Sequence, residues 1–164
     1  MTEQHNTTNL ITEKSSRRII RERILQIFYA LEFNRDARET LVNSLLSDIS
    51  EPIGKTFAQD LINRIIIHQN ATDVLIQERL ANWELKRVAI IDKIILRIGI
   101  TEIMHFPDIP PKVTINEAIE LGKEFGSDDS GKFINGLLNK IVEDMKVADK
   151  LNKSGRGLIE DSAK

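Results

Sequence analysis

The chain has no cysteine, and that absence removes disulfides, thiolate zinc sites and cysteine nucleophiles together. No apolar run approaches the ~20 residues that a membrane span requires. Residues 1–14 are polar and lack the apolar core of a secretory signal, which fits a cytoplasmic protein. No strand alternation, hairpin turn or internal repeat stands out. A Walker A loop, a dinucleotide-binding glycine pattern after a strand and a nucleophile elbow are all missing. His5 lies in the polar N-terminus, and His68 and His105 have no partner at metal-ligand spacing. These absences argue against an enzyme and imply neither cofactor nor metal. A formal net charge of −2 gives the whole chain no electrostatic pull on nucleic acid.

What is present is helical periodicity, 41% hydrophobic residues and enough length for one core. Residues 1–14 are expected as a disordered tail, 15–146 as a single helical domain and 147–164 as a flexible C-terminal tail. A first helix, capped by Ser15 or Ser16, should run to about Phe33 with Ile20, Ile24, Ile27, Phe28 and Leu31 facing the core. Arg18, Glu22, Gln26 and Tyr29 fall on its opposite side, with Arg21 at the flank. Further helices are expected at Arg38–Ile49, Lys55–Leu80 and, capped by Asn82, Trp83–Val88. The isoleucines from Ile90 to Ile103 make the next helix apolar on most of its circumference, as a central bundle helix needs. Phe106-Pro107 and Pro110-Pro111 stop it. Thr114 and Glu117 have capping-box spacing for the following helix, Gly126 sits where a terminal glycine would end it, and 127–130 start the last. The class is all-α, about seven helices.

Lys14, Arg17, Arg18, Arg21 and Arg23 set five cations against one anion, Glu22, at the start of the first helix. Many solvated helix ends are basic, but these cations sit beside a polar tail where phosphates can approach without burial of charge. Gln26 and Tyr29 share that face and offer an amide and a flat ring to unpaired bases. Asp92 projects from a mainly apolar helix, where a charge needs a salt bridge, a cap or an external partner. Arg97 reads as tied to a carboxylate or helix carbonyls within the bundle. Asn116, Glu117 and Glu120 read as capping and surface positions. Asp128-Asp129 complements a helix dipole, and Gly122 and Gly136 suit close helix approach.

Several stretches resemble the NusB family of bacterial antitermination factors. They are Asp92 with Ile95-Leu96-Arg97, Ile109-Pro110-x-Lys112-Val113 with Ile115-Asn116-Glu117-Ala118, Glu120-Leu121-x-Lys123, and Phe125-Gly126-x-x-Asp129-Ser130-x-Lys132-Phe133-x-Asn135-Gly136. A weaker echo, Arg17-Arg18-x-x-Arg21-Glu22 with Leu25-Gln26-x-x-Tyr29, extends the likeness over roughly Arg17 to Met145. The resemblance implies a fold of two packed helical subdomains. It implies binding of boxA, a short single-stranded RNA element, together with NusE, the small-subunit ribosomal protein. It further implies action with other Nus factors on elongating RNA polymerase, which reads through terminators, notably in ribosomal RNA operons. Carried over by position, Arg17, Arg18 and Arg21 would meet RNA phosphates, and Asp129, Lys132 and Phe133 would lie at the RNA surface. Phe133 also belongs to a core stripe with Leu137 and Ile141. Tyr29 and Asp92 would face NusE. NusB-like domains are also fused to ribosomal RNA cytosine methyltransferases, but that chemistry needs a cysteine and a cofactor-binding α/β domain. A helical adaptor that binds protein alone is the other alternative.

Overall fold

The computed structural model describes residues 13–159, and among them the chain is all-helical. Six α-helices follow in order: α1 (Glu13–Phe33), α2 (Arg38–Asp48), α3 (Pro52–Gln77), α4 (Ile90–His105), α5 (Pro111–Phe125) and α6 (Ser130–Val147). Three short 3-10 turns lie at Arg35–Ala37, Leu85–Arg87 and Gly155–Leu158; the second stands where the count of seven places another helix, and the third within the expected C-terminal tail. The expected tail at 1–14 lies outside the described residues, except that Glu13 and Lys14 belong to α1. No helix of the described part is long and apolar enough to cross a membrane.

The apolar circumference of α4 has its expected consequence. Ile94, Ile95, Leu96, Ile98, Ile100 and Ile103 are all buried, and the helix packs against α1, α3, α5 and α6. Helices α1 to α3 pack on one another, as do α4 to α6, and α4 joins the two groups through one continuous core. Gly99 lets α6 come close, since a Cβ there would meet Leu138 Cδ1 at 3.0 Å. Each fully buried isoleucine or leucine contributes roughly 1.5–3 kcal/mol, so this one helix anchors much of the fold. Arg21 pairs with Glu102 and Glu32 approaches Arg97, so α1 and α4 run antiparallel. The C-terminal end of α1 therefore lies at the N-terminal end of α4.

Several boundaries differ from expectation, each for a local reason. Helix α3 starts at Pro52, whose fixed φ and missing N–H suit a first helical position. The helix expected at 83–88 is reduced to the single 3-10 turn Leu85–Arg87. Asn82 adopts φ +57°, and the Gln77 side chain instead ties the link by accepting from Leu85 N–H (2.9 Å) and donating to the Trp83 carbonyl (2.9 Å). Helix α5 begins at Pro111, one turn before the supposed capping box. Thr114 and Glu117 are consequently inside the helix and buried. Gly126 has φ −95°, so it is not a left-handed cap. Its hydrogen is required by space, because a Cβ would collide with Ser130 Oγ and the Gly122 carbonyl. Gly122 does permit a tight approach, with Ile134 Cδ1 2.8 Å from a Cβ built there, whereas Gly136 faces open space.

The expectation of a flexible tail from 147 fails for the residues after α6 that the structure describes. Residues 148–159 form a strap over the α4–α5 connection. Ser154 N–H donates to the Pro107 carbonyl (3.0 Å), and Lys153 Nζ donates to the carbonyls of Phe106 (2.9 Å) and Glu102 (3.3 Å). Lysine thus satisfies carbonyls that the end of α4 leaves open. Burial pushes the Lys153 ammonium down to about 8, against the attraction of Glu102 and Asp108. Gly157 is buried where any Cβ would strike the Pro107 carbonyl. Gly157→Ala should therefore lift the strap, with loss of ~2 kcal/mol as charged hydrogen bonds are released. The Lys153 pKa should then rise from about 8 toward the ordinary lysine value of about 10.4. Carbon-13 NMR of the reductively methylated protein reads both states. An unchanged Lys153 titration would mean that the strap tolerates the methyl group.

Candidate nucleic-acid and partner interface

The basic run of α1 is less bare in three dimensions than along the chain. Arg23 pairs with Asp48 (3.1 Å), Arg17 approaches Asp108 (3.9 Å), and Arg18 makes a bidentate contact with Glu117 (2.9 and 2.8 Å). Glu117 is thus an interior anchor for Arg18, not a helix cap or surface acid. Arg18 stays largely exposed, and Arg17 is half-buried with its guanidinium 4.6 Å from the centre of the Phe57 ring.

Arg21 is different in kind. It is only 4% exposed and holds Glu102, itself 1% exposed, through two bonds of 2.8 and 2.7 Å. Thr114 Oγ1 donates to the same carboxylate at 3.3 Å. Burial opposes the Arg21 charge, but Glu102 outweighs it and raises the guanidinium pKa. A phosphate cannot reach this group without opening the α1–α4 contact. The expected phosphate role of Arg21 is therefore corrected to an interior ion pair. The 3.6-residue period places Arg21 at the flank, and Glu102 draws that flank inside.

Asp129, Lys132 and Phe133 come together in a second place. With Arg79, Gly136, Leu137 and Lys140 they line a surface hollow of about 460 Å³. Lys132 and Lys140 are two turns apart on α6 and exposed, with the half-buried Phe133 between them. The absent side chain of Gly136 keeps the space between the lysines open. Arg79 arrives from the turn just after α3, held by Asp144 (2.9 Å) and Glu78 (3.6 Å). Asp129 precedes α6 without a side-chain cap bond. Gly136 and Lys140 were readable from helical spacing alone. Arg79 was not, because it comes from a turn distant in the chain.

A third group sits where the end of α1 meets the start of α4. Tyr29 and Phe33 form an edge-to-face pair with centroids 5.3 Å apart. Both stay exposed, Phe33 to 71%. Gln26 is exposed one turn earlier. Asp92 is 8% exposed, and its Oδ1 is a buried oxygen with no hydrogen-bond partner. Among the described residues no internal salt bridge accounts for this acid. Arg97, by contrast, has its carboxylate, held by Asp73 in two bonds of 2.8 and 2.9 Å. Among the described residues no group of histidines and acids could hold a metal ion.

Comparison with known proteins matches residues 18–143 to the NusB family. The transcription antitermination protein NusB of Chloroherpeton thalassium is 40% identical over 91% of this chain and 72% of its own length. That of Salinibacter ruber is 37% identical, with 88% of this chain and 92% of the relative covered. Among solved structures, T. maritima NusB superposes with a TM-score of 0.72 at 34% identity, covering 77% of this chain and 90% of that one. A structure of antitermination factors NusB and NusE with double-stranded RNA gives 0.69 at 19% identity, covering 79% and 97%, a likeness of fold alone.

Proposed function

The chain belongs to the NusB family, and from that premise we propose that it is a transcription antitermination factor. In this reading it binds boxA RNA in nascent transcripts, including those of ribosomal RNA operons, together with NusE. The pair joins other Nus factors on elongating RNA polymerase in the cytoplasm and favours read-through of terminators. The observation that carries the reading is the α6 hollow, where Phe133 lies between two exposed lysines and Arg79 stands beside them. A ring for a base and cations for the flanking phosphates are what single-stranded RNA recognition uses. Arg17 and Arg18 add phosphate contacts by exchanging Asp108 and Glu117 for RNA. Such exchange weakens each contact, so a protein partner that completes the surface fits this electrostatics. Gln26 adds an exposed amide, and Tyr29 and Asp92 serve the NusE face.

Salt titration of boxA binding, with NusE present, tests the assignment. Lys132→Ala and Lys140→Ala should each lower the log–log salt slope by about 0.7. The loss should be equal on scrambled RNA, because phosphate contacts position the strand without reading sequence. Phe133→Leu keeps an apolar core residue but removes the ring, and should cost about 1–3 kcal/mol of binding at unchanged slope. Retention of both slope and affinity in all three variants would place the RNA elsewhere.

A further inference from the structure

Arg64 and His68 lie one turn apart on α3, and His105 ends α4. The two imidazoles stack, with centroids 3.9 Å apart and planes 16° from parallel. The Arg64 guanidinium lies 5.9 Å from the centre of the Phe106 ring, and Phe106 meets Phe57 edge-on at 5.8 Å. Arg17 covers the far ring at 4.6 Å. A run therefore leads from Arg17 across two aromatic rings to Arg64, each step under 6 Å, and the histidine pair begins one helical turn further along α3.

The two ends of the run differ in charge balance. Every arginine of α1 has a carboxylate, whereas Arg64, His68 and His105 have no ion pair among the described residues. Asp60 stands one turn before Arg64 on α3 without forming an ion pair with it. The charged groups on neighbouring elements include Arg17 on α1, Asp108 after α4 and Lys153 on the strap. Asp108 is already approached by Arg17, and it attracts Lys153 as well. Three basic groups without a counter-ion, on an accessible face, make a place for an anion.

We propose that Arg64, His68 and His105 bind a backbone phosphate of the same RNA strand that reaches Arg17. The inference rests on the RNA-binding reading above. Burial holds His105 below the ordinary histidine pKa, and His68 and Arg64 lower it further. The neutral form of His105 is thus favoured when nothing is bound. A phosphate stabilises one proton on it, so RNA should bind more tightly as pH falls. In the free protein the sign is opposite. A lowered folded pKa makes stability fall as pH descends through the unfolded value near 6.5.

The test is boxA RNA binding, with NusE, at about pH 8 and about pH 5.8, on either side of the imidazole range. Wild type should gain up to about tenfold at the lower pH, which corresponds to one unit of pKa rise on binding. Joint replacement His68→Asn and His105→Asn should flatten that profile. Arg64→Ala, an exposed position, should shrink the salt slope by about 0.7 at both pH values. Imidazole nitrogen-15 spectra of the unaltered protein should show the His105 pKa rising when RNA is added. Equal affinity, slope and pH profile in the variants would overturn the subsite while leaving the RNA reading intact. Failure of wild type to bind RNA at either pH would overturn both.

Discussion

Arg21→Ala is expected to destabilise the chain by about 3–5 kcal/mol, the cost of leaving a buried charge without its partner. Glu102 is the group stranded, with only Thr114 left to donate to it. Replacing both members by apolar residues, Arg21→Met with Glu102→Leu, should recover most of that loss, since the desolvation of two charges disappears with their attraction. Denaturant midpoints of the two single variants and the double variant close the cycle. RNA binding by the folded double variant should keep the wild-type salt slope, because Arg21 offers no phosphate contact. A stable single variant with a reduced slope would return Arg21 to the RNA surface.

The Arg21 case shows where sequence and structure part. Along the chain, Arg17 to Arg23 has one acidic neighbour, and the stretch reads as a bare basic patch. In the fold, Asp48, Glu102, Asp108 and Glu117 arrive from α2, α4, the following connection and α5. No local charge count can see them. The helices themselves were legible because burial dictates apolar periodicity and proline dictates ends. Thr114 and Glu117 had the spacing of a cap, but Pro111 starts a helix without one, so the pattern was overridden one turn upstream. The strap was illegible for the opposite reason. It has little apolar periodicity, and it is held by backbone bonds, one lysine and the missing side chain of Gly157. The α6 stripe was readable in part, since Lys132, Gly136 and Lys140 share one helix, whereas Arg79 joins them only after folding.

Asp92→Asn is expected to leave the isolated chain as stable as wild type, or slightly more so, while weakening its association with NusE by about 2–5 kcal/mol. The first half follows from the orphaned Oδ1. A buried acceptor without a donor costs about 1–3 kcal/mol, more if charged, and the neutral amide relieves part of that burden. The second half follows from what such an oxygen lacks. The antiparallel pairing of α1 and α4 puts Asp92 at the end of the bundle where Tyr29 and Phe33 stay exposed. Exposed aromatic anchors at the same end of the bundle as a desolvated acid suit a partner that supplies an apolar contact and a basic side chain. Tyr29→Ala and Phe33→Ala should weaken the same association without moving the RNA salt slope. Calorimetry of NusE binding beside thermal unfolding of the free chain separates the possibilities. If Asp92→Asn lowers the stability of the free protein and leaves NusE affinity unchanged, the carboxylate serves the N-terminus of α4 through its charge. The partner face must then lie elsewhere.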